Sequence, residues 1–129
     1  MTRYETAVAN HKKGYNCAQA VLCAFSDKLG LDEDKLFRLS EAFGGGMGGT
    51  QGICGAVSGM VFVAGMIKSK GIDALPETNK KESYAYAAKL MKEFEERVGS
   101  AICAEIKGKC LLSCDGCIET AVKILEENL

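Results

Sequence analysis

The chain has 129 residues, of which 47% are hydrophobic and 26% charged, and its formal net charge at pH 7 is −1. This length and balance suit one folded domain, residues 1–129, and exclude a disordered chain. A net charge close to zero gives no electrostatic basis for binding nucleic acid or an anionic membrane surface.

Apolar residues recur at helical spacing, and no stretch alternates as a half-buried strand would, so we predict an all-α fold. We expect a compact helical bundle of about five to six helices around an apolar central helix. The predicted helices cover residues 2–13, 16–28, 33–43, 53–70, 79–98 and 116–127, with a short helical turn at Cys103 between the last two.

The central helix, 53–70, is apolar almost all round and should be buried. Its most apolar run, 53–67, has 15 residues, whereas a membrane span needs roughly 20. The amino terminus from Met1 to Glu5 lacks the apolar stretch of a secretion signal. We therefore expect a cytoplasmic protein without membrane insertion, whose most exposed loop is 71–77.

Cysteine is the unusual residue, with seven copies at positions 17, 23, 54, 103, 110, 114 and 117. The missing signal, the odd count and a core that needs no cross-links argue against a disulfide framework. In a reducing compartment thiols serve catalysis, metal binding or redox sensing, or they are inert core residues. Their positions must decide between these roles.

Four cysteines fall in the first turns of four different predicted helices. There, unpaired N–H groups and the positive end of the helix dipole favour a thiolate, which is both a nucleophile and a metal ligand. Cys23 differs, because it lies in mid-helix among apolar residues and should be a buried, inert thiol. The four cysteines and their candidate caps are Cys17 after Asn16, Cys54 after a glycine-rich loop, Cys103 after Ser100, and Cys117 after Asp115.

The segment from Cys110 to Cys117 has the spacing C-x-x-x-C-x-x-C. It could hold iron or zinc locally, with Cys103 as a fourth ligand. Its inner part, Cys114 to Cys117, is a C-x-x-C that could close a disulfide at a helix start. No strand precedes it, so a thioredoxin fold is not indicated.

A glycine-rich loop, 44–49, precedes the central helix and formally matches G-x-G-x-x-G. A dinucleotide site would need a strand before it, whereas the preceding segment is helical. We favour a concave nest of backbone N–H groups for an anion, and a turn that requires positive φ is the alternative. Candidate cofactor-binding positions are Gly45, Gly46 and Gly55. His11, the only histidine, is a weaker candidate for a base or ligand.

The segments GYNCAQAV (14–21), FGGGM (43–47) and CGAVSG (54–59) resemble the C_GCAxxG_C_C family of redox-active proteins. The likeness continues through Cys103 to Cys117 and so covers nearly the whole chain. That family is defined by four cysteines, which the resemblance places at Cys17, Cys54, Cys103 and Cys117. The additional Cys114 leaves open which residue is the fourth.

Two hypotheses use these residues. In the first, which we favour, Cys54 attacks a disulfide or oxidant and Cys17 resolves the intermediate, with a redox protein or small thiol as partner. In the second, thiolates hold an iron–sulfur cluster or zinc. A structural module with inert cysteines is a third alternative, and an interface in a homo-oligomer could supply further cysteine partners. The candidate ligands are Cys17, Cys54, Cys103, Cys117 and Cys114.

Overall fold

The computed structural model describes all 129 residues and contains eight α-helices and no strand. The predicted all-α class is confirmed, with more helices than expected. In chain order the helices are α1 (Arg3–Lys12), α2 (Cys17–Cys23), α3 (Ser26–Leu29), α4 (Glu33–Ser40), α5 (Gly55–Lys68), α6 (Lys80–Val98), α7 (Cys103–Gly108) and α8 (Cys114–Asn128), with 3₁₀ turns at Glu41–Phe43 and Ile72–Ala74.

The predicted helix 16–28 is interrupted between α2 and α3. The carbonyl of Ala24 accepts a hydrogen bond from Arg3 Nη1 at 2.6 Å, and the same guanidinium lies 4.6 Å from the centroid of the Phe25 ring. Phe25 has φ −108° and ψ 14°, which departs from helical geometry. The continuous-helix prediction was wrong because the side chain that stabilises the break comes from a different helix.

The predicted cap Asn16 is present, and a second side chain caps α4. The Asn16 side chain accepts from Gln19 N at 2.9 Å, and the Gln19 side chain in turn accepts from Asn16 N at 2.9 Å. This reciprocal pair is a capping box, which satisfies two otherwise unpaired donors at the start of α2. Asp32 caps α4 in the simpler way, by accepting from Lys35 N at 2.9 Å.

The predicted cap of α8 was wrong. Ser113 takes that place, since its Oγ accepts from Gly116 N at 3.0 Å. The helix therefore begins at Cys114, and Cys117 becomes its fourth residue. Asp115, the predicted cap, lies inside the first turn, where its carboxylate contacts His11 instead.

The predicted cap Ser100, and Asn79 before α6, make other bonds. The Ser100 Oγ accepts from Ile102 N at 3.0 Å, and α7 begins after Ile102 rather than after Ser100. Asn79 precedes α6 but makes no capping bond to it. Its amide group bridges the backbone after α5, accepting from Lys70 N at 3.0 Å.

Helix α5 packs against α2, α6 and α8 and forms the centre of the bundle. Its first half is buried all round, as predicted. The prediction was wrong for its C-terminal half, where Met66 is 50% and Ile67 40% exposed. Helices α6 and α8 each bury one apolar face, namely Leu90, Phe94 and Val98 on α6 and Ile118, Val122 and Leu125 on α8.

Gly55 and Gly59 bring α2 close to α5. A Cβ at Gly59 would lie 2.9 Å from the Ala18 carbonyl oxygen, and a Cβ at Gly55 would lie 3.2 Å from Cys17 Cβ. The two helices can approach this closely only because both positions lack a side chain.

The loop 71–77 is largely exposed, as expected. No helix of the chain combines the length and the apolar character that crossing a membrane requires.

Candidate functional site

Four helices begin at one end of the bundle, each with a cysteine at its start. Cys17, Cys103 and Cys114 are the first residues of α2, α7 and α8, and Cys54 immediately precedes α5. These four and Cys117, on the next turn of α8, all line one cavity of about 210 Å³. The structure therefore brings together Cys17, Cys54, Cys103, Cys114 and Cys117 and leaves out Cys110, the first cysteine of the proposed C-x-x-x-C-x-x-C ligand segment.

The remaining two cysteines lie elsewhere. Cys23 is buried within α2, where its Sγ donates to the Glu33 carbonyl oxygen at 3.7 Å, and burial raises its pKa to about 11. Cys110 is exposed after α7. The other side chains and backbone segments around the cavity belong to His11, Asn16, Gly45, Gly46, Gly55, Ile106, Lys107 and Leu112.

Backbone pairing holds the starts of α5 and α7 side by side. Cys54 N donates to the Ala101 carbonyl at 2.7 Å, and Cys103 N donates to the Gly52 carbonyl at 2.7 Å. An isolated antiparallel bridge joins Ile53 to Ile102 between them. This short ladder places the two cysteines at the same wall of the cavity.

The glycine-rich loop lies against this ladder. Gly46 has φ +75°, and a Cβ there would lie 2.7 Å from Gly52 N and 2.8 Å from Cys103 Cβ. Only glycine fits such a backbone conformation at such a close approach. The alternative that the loop needs positive φ is thus correct.

The loop retains two free donors. The N–H groups of residues 47–52 donate to backbone carbonyls, whereas those of Gly45 and Gly46 donate to no acceptor in the chain. Both glycines line the cavity. The predicted concave nest is therefore reduced to these two N–H groups.

Cys54 is the acidic thiol of the site. A hydrogen bond from Cys117 lowers the pKa of Cys54 to about 7 against the opposing effect of burial, and the N–H groups of Ala56 and Val57 and the charge of Lys107 act in the same direction as the bond. The same hydrogen bond, with burial, raises the pKa of Cys117, which therefore acts as the donor. One thiol of this pair is readily ionised and its neighbour holds a proton.

Cys17 behaves in the opposite way. Burial, followed by the proximity of Cys114 and Cys54, raises its pKa to about 12. The expectation that a helix beginning makes each of these thiols acidic was wrong for Cys17, because loss of hydration outweighs the helix dipole. Cys17 and Cys114 are therefore neighbouring thiols in the same cavity.

His11 is positioned by a residue far along the chain. Its Nδ1 lies 2.7 Å from Asp115 Oδ1, and the imidazole lines the cavity beside the thiols. Since Nδ1 is engaged by the carboxylate, Nε2 is the nitrogen left for other contacts. No sequence signal pairs these residues, because they are on α1 and α8.

The predicted iron–sulfur or zinc site finds no support in this arrangement. A metal needs at least three thiolate, imidazole or carboxylate ligands around one point. No group of three or more His, Cys, Asp or Glu side chains is placed so that it could hold a metal ion.

A family model matches this chain, whereas individual proteins do not. Neither the curated proteins nor the solved structures contain a match to the chain. A family model described as "Putative redox-active protein (C_GCAxxG_C_C)" matches residues 15–128. The match includes all seven cysteines and leaves His11 outside. It confirms the resemblance found in the sequence: the chain belongs to the C_GCAxxG_C_C family of redox-active proteins.

Proposed function

We propose that this protein performs thiol–disulfide exchange through a dithiol formed by Cys54 and Cys117. The observation that supports this most directly is that both thiols line one cavity, where the interaction with Cys117 is the main cause that lowers the pKa of Cys54. To form a disulfide, the two sulfurs must reach a bond length of about 2.05 Å. The same interaction favours Cys117, rather than Cys17, as the resolving residue.

Cys54 is the attacking group. Its pKa of about 7 leaves much of it ionised at neutral pH, and the thiolate is the nucleophilic form. The thiolate attacks one sulfur of a substrate disulfide, and the other substrate sulfur leaves as a thiol after taking up a proton. Cys117 then attacks the Cys54 sulfur, so that a Cys54–Cys117 disulfide forms and the second substrate thiol is released. Two electrons pass from the protein to the substrate.

The volume of the cavity limits the size of the substrate. A volume of about 210 Å³ corresponds to about seven water molecules at ~30 Å³ each. It admits a small disulfide, or the exposed tip of a larger one. The free N–H groups of Gly45 and Gly46 at its wall offer two donors to an anionic group of such a substrate.

The test is a disulfide map of the full-length protein after mild oxidation. Fully reduced protein is treated with one equivalent of diamide, its remaining thiols are alkylated, and the linked peptides are identified by mass. We expect a Cys54–Cys117 linkage. With glutathione disulfide as the oxidant, Cys117→Ser should accumulate a mixed disulfide on Cys54, because the resolving thiol is missing.

The matched control is Cys23→Ser, which removes a buried thiol outside the cavity and should leave the Cys54–Cys117 linkage unchanged. Seven equally slow free thiols after oxidation would contradict the proposal and favour a structural role. Stoichiometric iron or zinc in anaerobically purified protein would also contradict it, since the same sulfurs would then be ligands.

A further inference from the structure

The cavity contains a second dithiol that differs from the first in its access to solvent. Cys54 is 6% and Cys117 3% exposed, so both sulfurs of the proposed reactive pair are buried. Cys17 and Cys114 are partly exposed. The two pairs share one cavity, and the pair formed by Cys17 and Cys114 stands nearer its opening.

Contacts between the pairs run through Cys17. Cys17 Cβ lies 3.2 Å from where a Cβ added at Gly55, the residue after Cys54, would stand. Besides burial, the proximity of Cys114 and of Cys54 raises the pKa of Cys17. Cys17 therefore lies between Cys114 and the buried pair in the cavity that all four cysteines line.

Cys114 also faces outward. Besides the shared cavity it lines a neighbouring surface groove of about 400 Å³, together with Lys107, Cys110, Leu112, Ser113 and Ile106. A protein that approaches this end of the bundle can reach Cys114 from the groove. It cannot reach Cys54 or Cys117 without entering the cavity, which is too small for a folded chain.

We infer that Cys17 and Cys114 form an exchanging dithiol that passes electrons from a protein dithiol at the surface to the buried Cys54–Cys117 disulfide. This inference rests on the proposed function, because it explains how the buried pair is reduced again after each turnover. It assigns separate roles to Cys114 and Cys117, between which the family resemblance left the fourth cysteine open.

The exchange balances at each step. With Cys17 and Cys114 as a disulfide, a thiolate of the partner attacks the Cys114 sulfur, and Cys17 leaves as a thiol after taking up a proton, because its pKa is raised to about 12. The second partner thiol attacks its own half of the mixed disulfide, so that Cys114 is released and the partner becomes a disulfide. The outer pair now holds the two electrons.

The outer pair then reduces the inner one. Cys17 attacks the Cys117 sulfur and expels Cys54, which is the better leaving group because its pKa is the lower of the two. Cys114 attacks the Cys17 sulfur, expels Cys117 and restores the Cys17–Cys114 disulfide. In sum, two electrons and two protons pass from the partner dithiol to the buried disulfide.

The test compares reduction of the buried disulfide by a large and a small dithiol. Oxidised full-length protein is mixed with reduced thioredoxin as the protein dithiol, or with dithiothreitol, and the Cys54–Cys117 linkage is followed by alkylation and mass. For Cys114→Ser we expect reduction by thioredoxin to slow at least about tenfold, while reduction by dithiothreitol changes less than about twofold. The control is Cys110→Ser, which removes the other cysteine of the groove and should match the unmodified protein.

A trapping experiment locates the entry point. Thioredoxin that retains only its attacking cysteine should form a mixed disulfide with Cys114, identified by peptide mapping. Attachment at Cys54 or Cys117, equal thioredoxin rates with and without Cys114, or no reduction by thioredoxin at all would overturn the inference. If the Cys54–Cys117 disulfide forms normally in those experiments, the proposed function survives; if it never forms, both fail.

Discussion

The cysteine end of the bundle and the C-terminal end of α2 contain thiols that are almost equally buried yet chemically different. Cys54 is 6% exposed and has a pKa of about 7, whereas Cys23 is 2% exposed and has a pKa of about 11. Both lose hydration, which disfavours the thiolate. Cys54 gains a thiol donor and nearby N–H groups, and Cys23 contacts a carbonyl oxygen, which cannot donate. Local donors, rather than burial, thus separate reactive from inert cysteines here.

Cys17 shows that a helix beginning alone is not sufficient. It is the first residue of α2, but its pKa is raised to about 12. Its neighbours are other thiols whose ionisation would repel its own, and Asn16 and Gln19 already satisfy the local backbone donors. Cys54 has no such competitor, since no side chain caps α5.

The largest effect is expected from filling the space behind the glycine-rich loop. In Gly46→Ala, the new Cβ would lie 2.7–2.8 Å from Gln51 Cα, Gly52 N and Cys103 Cβ, and we expect a loss of about 3 kcal/mol in unfolding free energy. Gly49 has the same φ of +75° with nothing within 4 Å of an added Cβ. Gly49→Ala should therefore lose only the strain, about 1 kcal/mol. Equal losses in urea unfolding of the reduced proteins would show that the close approach does not matter.

The free energy of unfolding should depend on pH in opposite ways at Cys54 and at Cys23. The pKa of Cys54 is lowered from 9.0 to about 7. The contribution of Cys54 to the free energy of unfolding is therefore complete above pH 9 and is lost as pH falls through 7. The pKa of Cys23 is raised from 9.0 to about 11, so its contribution is complete below pH 9 and is lost as pH rises through 11.

The measurement is urea unfolding in reducing buffer at pH 7 and pH 9. Between these values the unmodified protein should gain about 2 kcal/mol relative to Cys54→Ser. Titrating groups that do not interact with Cys54 are common to both proteins and cancel in this difference. A parallel dependence in the two proteins would mean that the Cys54 thiol is not acidic in the folded state.

Alkylation rates compare the reactivity of Cys54 with that of the other thiols. At pH 7 and limiting iodoacetamide, Cys54 should react about fivefold or more faster than the other cavity thiols, a net effect of greater ionisation and lower intrinsic nucleophilicity. Cys54→Ser should remove this fast phase. If another cysteine carries the fast phase in intact-mass kinetics, the assignment of Cys54 as nucleophile is wrong.

The smallest change is expected at the inert thiol. Cys23→Ala should cost about 1 kcal/mol through lost packing within the core. The fast alkylation phase and the disulfide map of the Cys23→Ala protein should match those of the unmodified protein. Any change in the chemistry of Cys54 on this substitution would show that the two regions are coupled.

Much of the fold follows from local patterns in the sequence. The apolar stripes of α6 and α8 repeat at helical spacing, so their buried faces could be predicted. The start of α8 could not, because Ser113 and Asp115 are both good caps and lie two positions apart. The choice between them is coupled to His11 on α1, which holds the Asp115 carboxylate.

The candidate site was predictable as a set of cysteines but not as pairs. A helix beginning can be recognised from caps and glycines, and this was enough to select Cys17, Cys54 and Cys103. The pairing of Cys54 with Cys117 and of Cys17 with Cys114 depends on how α2, α5 and α8 pack, which involves distant residues. The acidity of Cys54 alone, among several similar positions, follows from that packing.

Gly55 and Gly59 determine how closely α2 and α5 pack against each other. Since a methyl group at either position would press on α2, the separation between the sulfur-bearing ends of α2 and α5 is set by two missing side chains. A single added carbon atom would push the two helices apart and increase the distance between the inner and outer thiols. The chain thus offers a simple adjustment by which the spacing of its sulfurs, and with it the speed of exchange between them, could be altered without touching any cysteine.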